Sequence, residues 1–193
     1  AIVKVVYSSE HQKHAARAEL KDGAFIPARE TPSQSAEIWE CCQQRCVVYV
    51  SALAPDAGET TGQQYAGFAP TPEFVIETHA SGFGYLSPAK FKAGFAHDAS
   101  DKDAAFLRDS QVPINMSVFE TPLTQAAWRS RPSWAVIATE DKAFDQAMLV
   151  HMAQRIDAQI TRVSASHALF MTQPKVVAET IDRAARAVVQ TAR

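Results

Sequence analysis

Continuous apolar runs alternate with amphipathic segments in the second half of the chain. Residues 132–141 and 159–165 are the apolar runs. Residues 144–157 and 174–189 follow them and carry apolar positions at helical spacing. Buried strands between amphipathic helices are typical of a parallel sheet that is covered on both faces. The pattern therefore predicts an α/β fold whose parallel sheet is flanked by helices.

Two more strands are predicted earlier in the chain. Residues 45–53 form a third apolar run, and the β-branched segment 1–8 is typical of a strand that would add a fourth. Residues 88–129 predict several short helices, including one over 114–120. The stretch 70–88, rich in Gly, Pro and aromatic residues, predicts no defined element.

Length and charge narrow the possible classes of protein. A chain of 193 residues is long enough for one domain with a real core. Its net charge of −2 does not indicate a nucleic-acid partner. No apolar run is long enough to span a bilayer, and the first residues lack the pattern of a secretory signal. We therefore expect a cytoplasmic protein with no membrane partner.

A carboxylate and an imidazole stand at the ends of two predicted strands. Asp141 closes one apolar run and His167 follows the next. Functional residues of parallel sheets gather at the carboxyl ends of strands, so these side chains are expected to meet. Asp141 would then fix the tautomer of the imidazole, and His167 would act as a base.

Other interpretations of these residues remain open. Glu140 and Asp145 compete with Asp141 for the role of the acid, and an acid in this position can simply cap the next helix. A lone histidine in a loop is often only structural.

A nucleophile for such a base is not evident. No serine has the glycine neighbours of the G-x-S-x-G elbow. Ser51, Ser164 and Ser166 lie near strand ends, where a small residue in tight packing is the simpler interpretation.

Cysteines and histidines do not predict a metal site. Cys41, Cys42 and Cys46 are odd in number and contain no C-x-x-C pair, and the H-x-x-H pair of His11 and His14 offers too few ligands. We expect no metal or other cofactor, and free thiols fit a reducing compartment.

Five motifs follow one another in order between residue 45 and the C-terminus: VVYVSALAPDAGET, GFGYLSPAKF, SQVPINMSVF, RPSWAVIATEDKAF and VSASHALFMTQPKVVAETI. In these motifs residues 45–193 resemble the C-terminal part of the α/β-hydrolases, closest to the small bacterial and plant esterases and hydroxynitrile lyases. The resemblance implies that Asp141 and His167 are the acid and base of a catalytic triad. It also implies an inserted helical cap over about residues 60–130.

The same resemblance has implications for the substrate and for assembly. It implies a small carboxylic ester or related acyl compound as substrate. Met116, Phe119 and Trp128 would line an apolar pocket beneath the cap, although they are equally typical of plain core. The elbow, the oxyanion loop and the first strands of the family are absent, so the predicted sheet is incomplete. An exposed sheet edge would favour a homo-oligomer.

Residues 1–40 resemble a different family. The stretch VVYSSEHQKHAARAELKDGAFIPARETPSQSAEIW is similar to the start of the zinc-dependent deacetylases of acetylated polyamines and lysines. The zinc ligands of that family would lie beyond this region and have no counterpart here. The two resemblances predict an N-terminal segment 1–44 and a hydrolase-like portion 45–193, joined near residues 41–46 by natural fusion, by engineering or by an error in the sequence.

Three functions follow from these features. The first is a serine-type hydrolase with Asp141 and His167 as triad members. The second is a catalytically inactive domain of the same fold that binds a small apolar ligand or a partner subunit. The third, a zinc-dependent deacetylase, depends on the first forty residues alone.

Overall fold

The computed structural model describes residues 4–6 and 46–190. The strands are β1 (Lys4–Val6), β2 (Val47–Val50), β3 (Ile76–Thr78), β4 (Phe83–Leu86), β5 (Ile114–Asn115), β6 (Ser133–Ala138) and β7 (Gln159–Val163). The α-helices are α1 (Phe91–Phe95), α2 (Asp101–Asp109), α3 (Gln146–Arg155), α4 (Leu169–Thr172) and α5 (Pro174–Gln190). Short 3-10 helices cover Gly62–Tyr65, Met116–Phe119 and Ala127–Arg129.

The main sheet has the strand order β1-β2-β6-β7. Strands β2, β6 and β7 are parallel, which confirms the predicted α/β fold with its incomplete sheet. Strand β1 pairs with β2 in the antiparallel direction, with Val5 opposite Val48. The apolar pattern of residues 1–8 predicts a strand but not its direction. None of the helices in the described part of the chain is both long and apolar enough to cross a membrane.

Strand β6 is apolar throughout because helices cover both faces of the sheet. All six of its residues are buried. Successive side chains of a strand point to opposite faces, so Trp134 and Val136 pack toward α5, whereas Ala135 and Ile137 pack toward α3. Each helix presents its apolar stripe to the sheet. The α5 stripe is Val177, Ala184 and Val188, and the α3 stripe is Met148, Leu149 and Met152.

The insertion between β2 and β6 differs from the predicted set of helices. It contains a second, antiparallel sheet in the order β3-β4-β5. The predicted helix over 114–120 is confirmed only in part: Ile114–Asn115 form the short strand β5, and Met116–Phe119 form one turn of 3-10 helix. The Asn115 side chain accepts a hydrogen bond from the amide of Ser117 and begins this turn. Gly82, with φ of +79°, turns the chain between β3 and β4.

Gly94 lets helix α1 pack closely against the backbone of Glu73, earlier in the insertion. A Cβ at this position would lie 2.7 Å from the carbonyl carbon of Glu73. We expect Gly94→Ala to lower the free energy of unfolding by about 1–3 kcal/mol, because backbone has to move to relieve the overlap. Urea denaturation measures the effect. Ala93→Gly, on the exposed side of the same helix, calibrates the intrinsic difference between the two residues. A gain of stability in Gly94→Ala would contradict the packing argument.

Candidate active site

Two loops at the carboxyl end of the main sheet are joined through their backbones. The amide of Thr139 donates to the carbonyl of Val163 at 2.8 Å, and that of Glu140 donates to Ala165 at 3.2 Å. These bonds continue the pairing of β6 and β7 beyond the strand ends. Asp141, the next residue of the first loop, is therefore held beside the residues of the second loop that lead to His167.

Asp141 and His167 form a buried hydrogen-bonded pair. His167 Nδ1 lies 2.7 Å from Asp141 Oδ2, and the two side chains are only 2% and 0% exposed respectively. Asp141 Oδ1 accepts from the amides of Ala143 at 2.8 Å and Phe144 at 2.9 Å. A carboxylate with these donors acts only as an acceptor, so Nδ1–H of His167 donates to it. In the described part of the chain Nε2 has no hydrogen-bond partner, and in this tautomer it carries a free lone pair.

Two phenylalanines enclose the imidazole. Ring centroids of Phe95 and Phe144 lie 5.0 and 4.8 Å from that of His167, and the Phe144 contact is edge to face. Sequence reasoning did not select either residue as part of the site. Phe144 could have been selected from the sequence, because it comes only three residues after Asp141. Phe95 could not, because its contact with His167 depends on how the insertion folds back on the main sheet.

The competing acids have other partners. Asp145 accepts from the amide of Met148 at 3.1 Å and caps α3. The Glu140 carboxylate accepts from the hydroxyl of Ser164, and its carbonyl accepts from His97 Nε2 at 2.8 Å. Asp141 is the acid that contacts His167, and with Oδ1 it also holds the following loop.

A third carboxylate, Asp98, contacts the loop that carries His167. Its Oδ2 accepts from the amide of Ser166 at 3.0 Å and from the hydroxyl of Thr172 at 2.9 Å. Partial burial acts to raise the pKa of Asp98, but the hydrogen bonds from Ser166 and Thr172 outweigh it and hold that pKa below its usual range. Asp98 therefore stays ionised at neutral pH. The sequence offered no signal for this residue.

The serines proposed near strand ends use their hydroxyls elsewhere. Ser51 directly follows β2 with φ of +40°, and its Oγ accepts from the amide of Ala138 at 3.0 Å. Ser166 Oγ accepts from the amide of Ala168 at 3.1 Å. Within residues 46–190, no serine hydroxyl forms a hydrogen bond with His167.

The predicted pocket residues lie in the insertion. Met116 packs against Gly84 of β4, and Phe119 is half-buried on the same 3-10 turn as Met116. Trp128 Nε1 donates to the carbonyl of Pro55 at 3.1 Å, and its ring packs against the core cluster that includes Phe144. Among the described residues, neither a hydrogen bond nor a ring contact joins these three to His167. Their role as pocket lining stays a prediction.

Tyr65 packs against Phe144, which in turn contacts His167. Its ring lies 5.9 Å from that of Phe144, edge to face. Burial and, to a smaller extent, the nearby charge of Asp141 raise the pKa of Tyr65 to about 12. The phenol is therefore neutral at physiological pH and is able to donate a hydrogen bond next to Phe144.

No metal centre is evident in the part of the chain that the structure describes. There, no group of three or more His, Cys, Asp and Glu side chains is arranged to hold an ion. The predicted ligand candidates His11, His14, Cys41 and Cys42 lie outside the described residues. Cys46 is a buried free thiol at the start of β2, and burial raises its pKa.

Comparisons with known proteins agree with this architecture. Residues 23–180 match the model of the alpha/beta hydrolase family. The fold is similar to that of a pyrethroid hydrolase from Sphingobium faniae JZ-2, with a TM-score of 0.62 and 19% identity over 74% of this chain and 61% of that one. It is also similar to polyneuridine aldehyde esterase, with a TM-score of 0.55 and 14% identity over 76% and 61% of the two chains.

A third similar structure is an extracellular alpha/beta-hydrolase from a Paenibacillus species, with a TM-score of 0.51 and 17% identity over 71% of this chain and 60% of that one. That hydrolase shares structural and functional homology with tobacco salicylic acid binding protein 2. The chain thus spans about three fifths of the length of these structures. A search of curated proteins gave no match.

The family match crosses the position of the predicted join, and the division of the chain into segments 1–44 and 45–193 stays a prediction. It begins at residue 23 and continues through residues 41–46, where the two resemblances were expected to meet. None of the comparisons supports the deacetylase resemblance of residues 1–40, and residues 7–45 lie outside the described residues. Because the match covers most of the sequence, the chain belongs to the alpha/beta hydrolase family.

Proposed function

We propose that this chain supplies the acid–base machinery of a hydrolase that acts on small, apolar carboxylic esters. The observation that carries the proposal is the buried Asp141–His167 pair, whose Nδ1 is occupied and whose Nε2 lone pair is free. A general base with an oriented tautomer is the arrangement that activates a serine for acyl transfer.

The reaction follows from the positions of the protons. A serine hydroxyl attacks the ester carbonyl while Nε2 of His167 takes its proton, and the imidazolium forms beside the Asp141 carboxylate. The imidazolium then returns the proton to the leaving alcohol, which breaks the ester bond and leaves an acyl-enzyme. Water, deprotonated in turn by Nε2, attacks the acyl carbon, and the imidazolium returns this proton to the serine oxygen as the acyl–serine bond breaks and the acid leaves. The serine would come from outside the described residues, because no serine hydroxyl within residues 46–190 forms a hydrogen bond with His167 and the candidates Ser51, Ser164 and Ser166 have other partners.

The surroundings of the pair support an apolar substrate. Phe95 and Phe144 flank the imidazole, and Tyr65 adds a neutral donor beside them. The similar structures include a pyrethroid hydrolase and an esterase by name, which agrees with an ester as substrate. Benzyl acetate combines a small acyl group with an aromatic alcohol and is a suitable first substrate.

The direct test is intact mass after treatment with a fluorophosphonate probe, combined with benzyl acetate hydrolysis. We expect one adduct per chain, lost in His167→Ala, and peptide mapping should place it on a serine outside residues 46–190. Prior incubation with benzyl acetate should slow labelling. A correct intact mass with neither an adduct nor hydrolysis would reject the proposed function.

One observation favours a second function. Since no hydroxyl of the described residues forms a hydrogen bond with His167, the same pair is also compatible with a domain that only binds a small apolar ligand. Benzylacetone, the non-hydrolysable ketone with the shape of benzyl acetate, is the probe for this alternative. Saturable binding of benzylacetone by a chain that neither hydrolyses the ester nor accepts the fluorophosphonate would establish binding without catalysis.

A further inference from the structure

We propose that Asp98 is a positioning residue that holds His167 in place for the hydrolase reaction, and that it does so from the insertion rather than from the main sheet. The inference rests on the proposed function and assigns a role to a third carboxylate, next to the pair. Asp98 lies between α1 and α2, about 70 residues before the loop it contacts.

The contacts of Asp98 fall on both sides of His167. Oδ2 accepts from the amide of Ser166, the residue directly before the histidine, and from the hydroxyl of Thr172, the last residue of α4. A single oxygen of Asp98 is thus bonded both to the residue before His167 and to the end of the helix that follows it. Two donors on a single charged acceptor make charge-assisted hydrogen bonds, which are stronger than neutral ones.

Residues of the insertion that lie next to Asp98 add further contacts to the loop that carries His167. The amide of Ala168, directly after His167, donates to the carbonyl of Phe95 at 3.0 Å. The ring of Phe95 itself lies 5.0 Å from the imidazole. Within four residues, from Phe95 to Asp98, the insertion therefore contacts Ser166, His167 and Ala168. The Nδ1 bond to Asp141 restrains one edge of the ring, and the Asp98 contacts restrain the backbone that carries it.

The exposure of Asp98 separates a positioning role from a purely structural one. Asp98 is exposed, unlike Asp141 and His167, so its removal opens no cavity in the core. Its removal does leave the amide of the buried residue Ser166 without its acceptor, which costs some stability. A small shift of a catalytic group, in contrast, lowers the rate about 100-fold for a displacement of about 1 Å. Loss of Asp98 should therefore impair the reaction far more than the fold.

The experiment compares Asp98→Ala, Asp98→Asn and the control Asp109→Ala in the full chain. Asp109 is an exposed carboxylate at the end of α2, paired with the adjacent Arg108. We expect Asp98→Ala to lower kcat for benzyl acetate about tenfold to hundredfold. KM should stay near that of the wild type, and the melting temperature should fall by only a few degrees. Asp98→Asn retains an acceptor oxygen and should recover part of the rate, and Asp109→Ala should match the wild type.

Proton NMR provides a readout that does not depend on activity. The Nδ1–H proton of His167 is buried and bonded to a carboxylate, so it should give a low-field resonance protected from exchange with water. We expect this resonance to be broadened or lost in Asp98→Ala and kept in Asp98→Asn and Asp109→Ala. Its assignment is checked by its disappearance in His167→Ala.

The two readouts separate failure of the inference from failure of the proposed function. If the wild type neither hydrolyses benzyl acetate nor accepts the fluorophosphonate, the function is rejected, and the resonance alone decides on positioning. Equal kcat and an equal resonance in Asp98→Ala and Asp109→Ala would overturn the inference. If Asp98→Ala does not fold, Thr172→Val removes one of the two hydrogen bonds and should weaken the resonance and lower kcat to a smaller extent. An unchanged Thr172→Val variant would then overturn it.

Discussion

His167→Ala is expected to lower kcat for benzyl acetate by about 10⁶-fold, the scale of loss when the base of a serine hydrolase is removed. Without Nε2 the nucleophile keeps its proton in the attack, and the leaving alcohol receives none. Initial rates at saturating ester measure the effect. The melting temperature shows whether the variant is folded, since alanine leaves space between Phe95 and Phe144.

Two further variants make the His167 result interpretable. His167→Gln retains more of the side chain's volume and can still donate to Asp141, so it should fold well and yet lack the base. His151→Ala, on the exposed side of α3, removes a histidine away from the pair and should leave kcat unchanged. Wild-type rates in a folded His167→Gln variant would exclude His167 as the base and with it the proposed mechanism.

The elements around the pair were predictable because local pattern and tertiary environment agree. Strand β6 is buried on both faces, so every position is apolar and the run stands out in the sequence. Helix α3 begins at a capping aspartate and α5 begins at a proline, both of which are local signals. Parallel neighbours then bring the residues after two strands together, which is why the contact between Asp141 and His167 could be expected.

The insertion was less predictable because its strands are short and partly exposed. Strand β5 has two residues, both exposed, and its existence depends on pairing with β4 rather than on a periodic pattern. The contacts of Asp98 and Phe95 arise from the same chain folding back on the main sheet, across about 70 residues of sequence. Contacts between such distant residues produce no periodic pattern in the sequence. Helix α4, a single turn after His167, is likewise set by the contacts of its ends.

Asp141→Asn is expected to lower kcat by about 10⁴-fold while leaving the fold almost unchanged, because the change alters the tautomer of His167 rather than its position. In the wild type, Oδ1 accepts from the amides of Ala143 and Phe144 and Oδ2 accepts from Nδ1–H. The asparagine carbonyl can replace Oδ1, and its NH₂ group then faces Nδ1. Nδ1 has to accept, so the proton moves to Nε2 and the base loses its lone pair.

Asp141→Ala and Asp145→Asn distinguish the effect of Asp141 on the tautomer of His167 from its effect on stability. Alanine leaves the amides of Ala143 and Phe144 without their acceptor in a buried loop, at a cost of about 1–3 kcal/mol for each buried group. We therefore expect urea denaturation to show a clear loss of stability for Asp141→Ala and almost none for Asp141→Asn, although both are inactive. Asp145→Asn should retain both rate and stability, because asparagine caps a helix as well as aspartate does. If Asp141→Asn keeps its rate, the tautomer of His167 does not limit the reaction. The carboxylate is then only the anchor of the loop that begins α3.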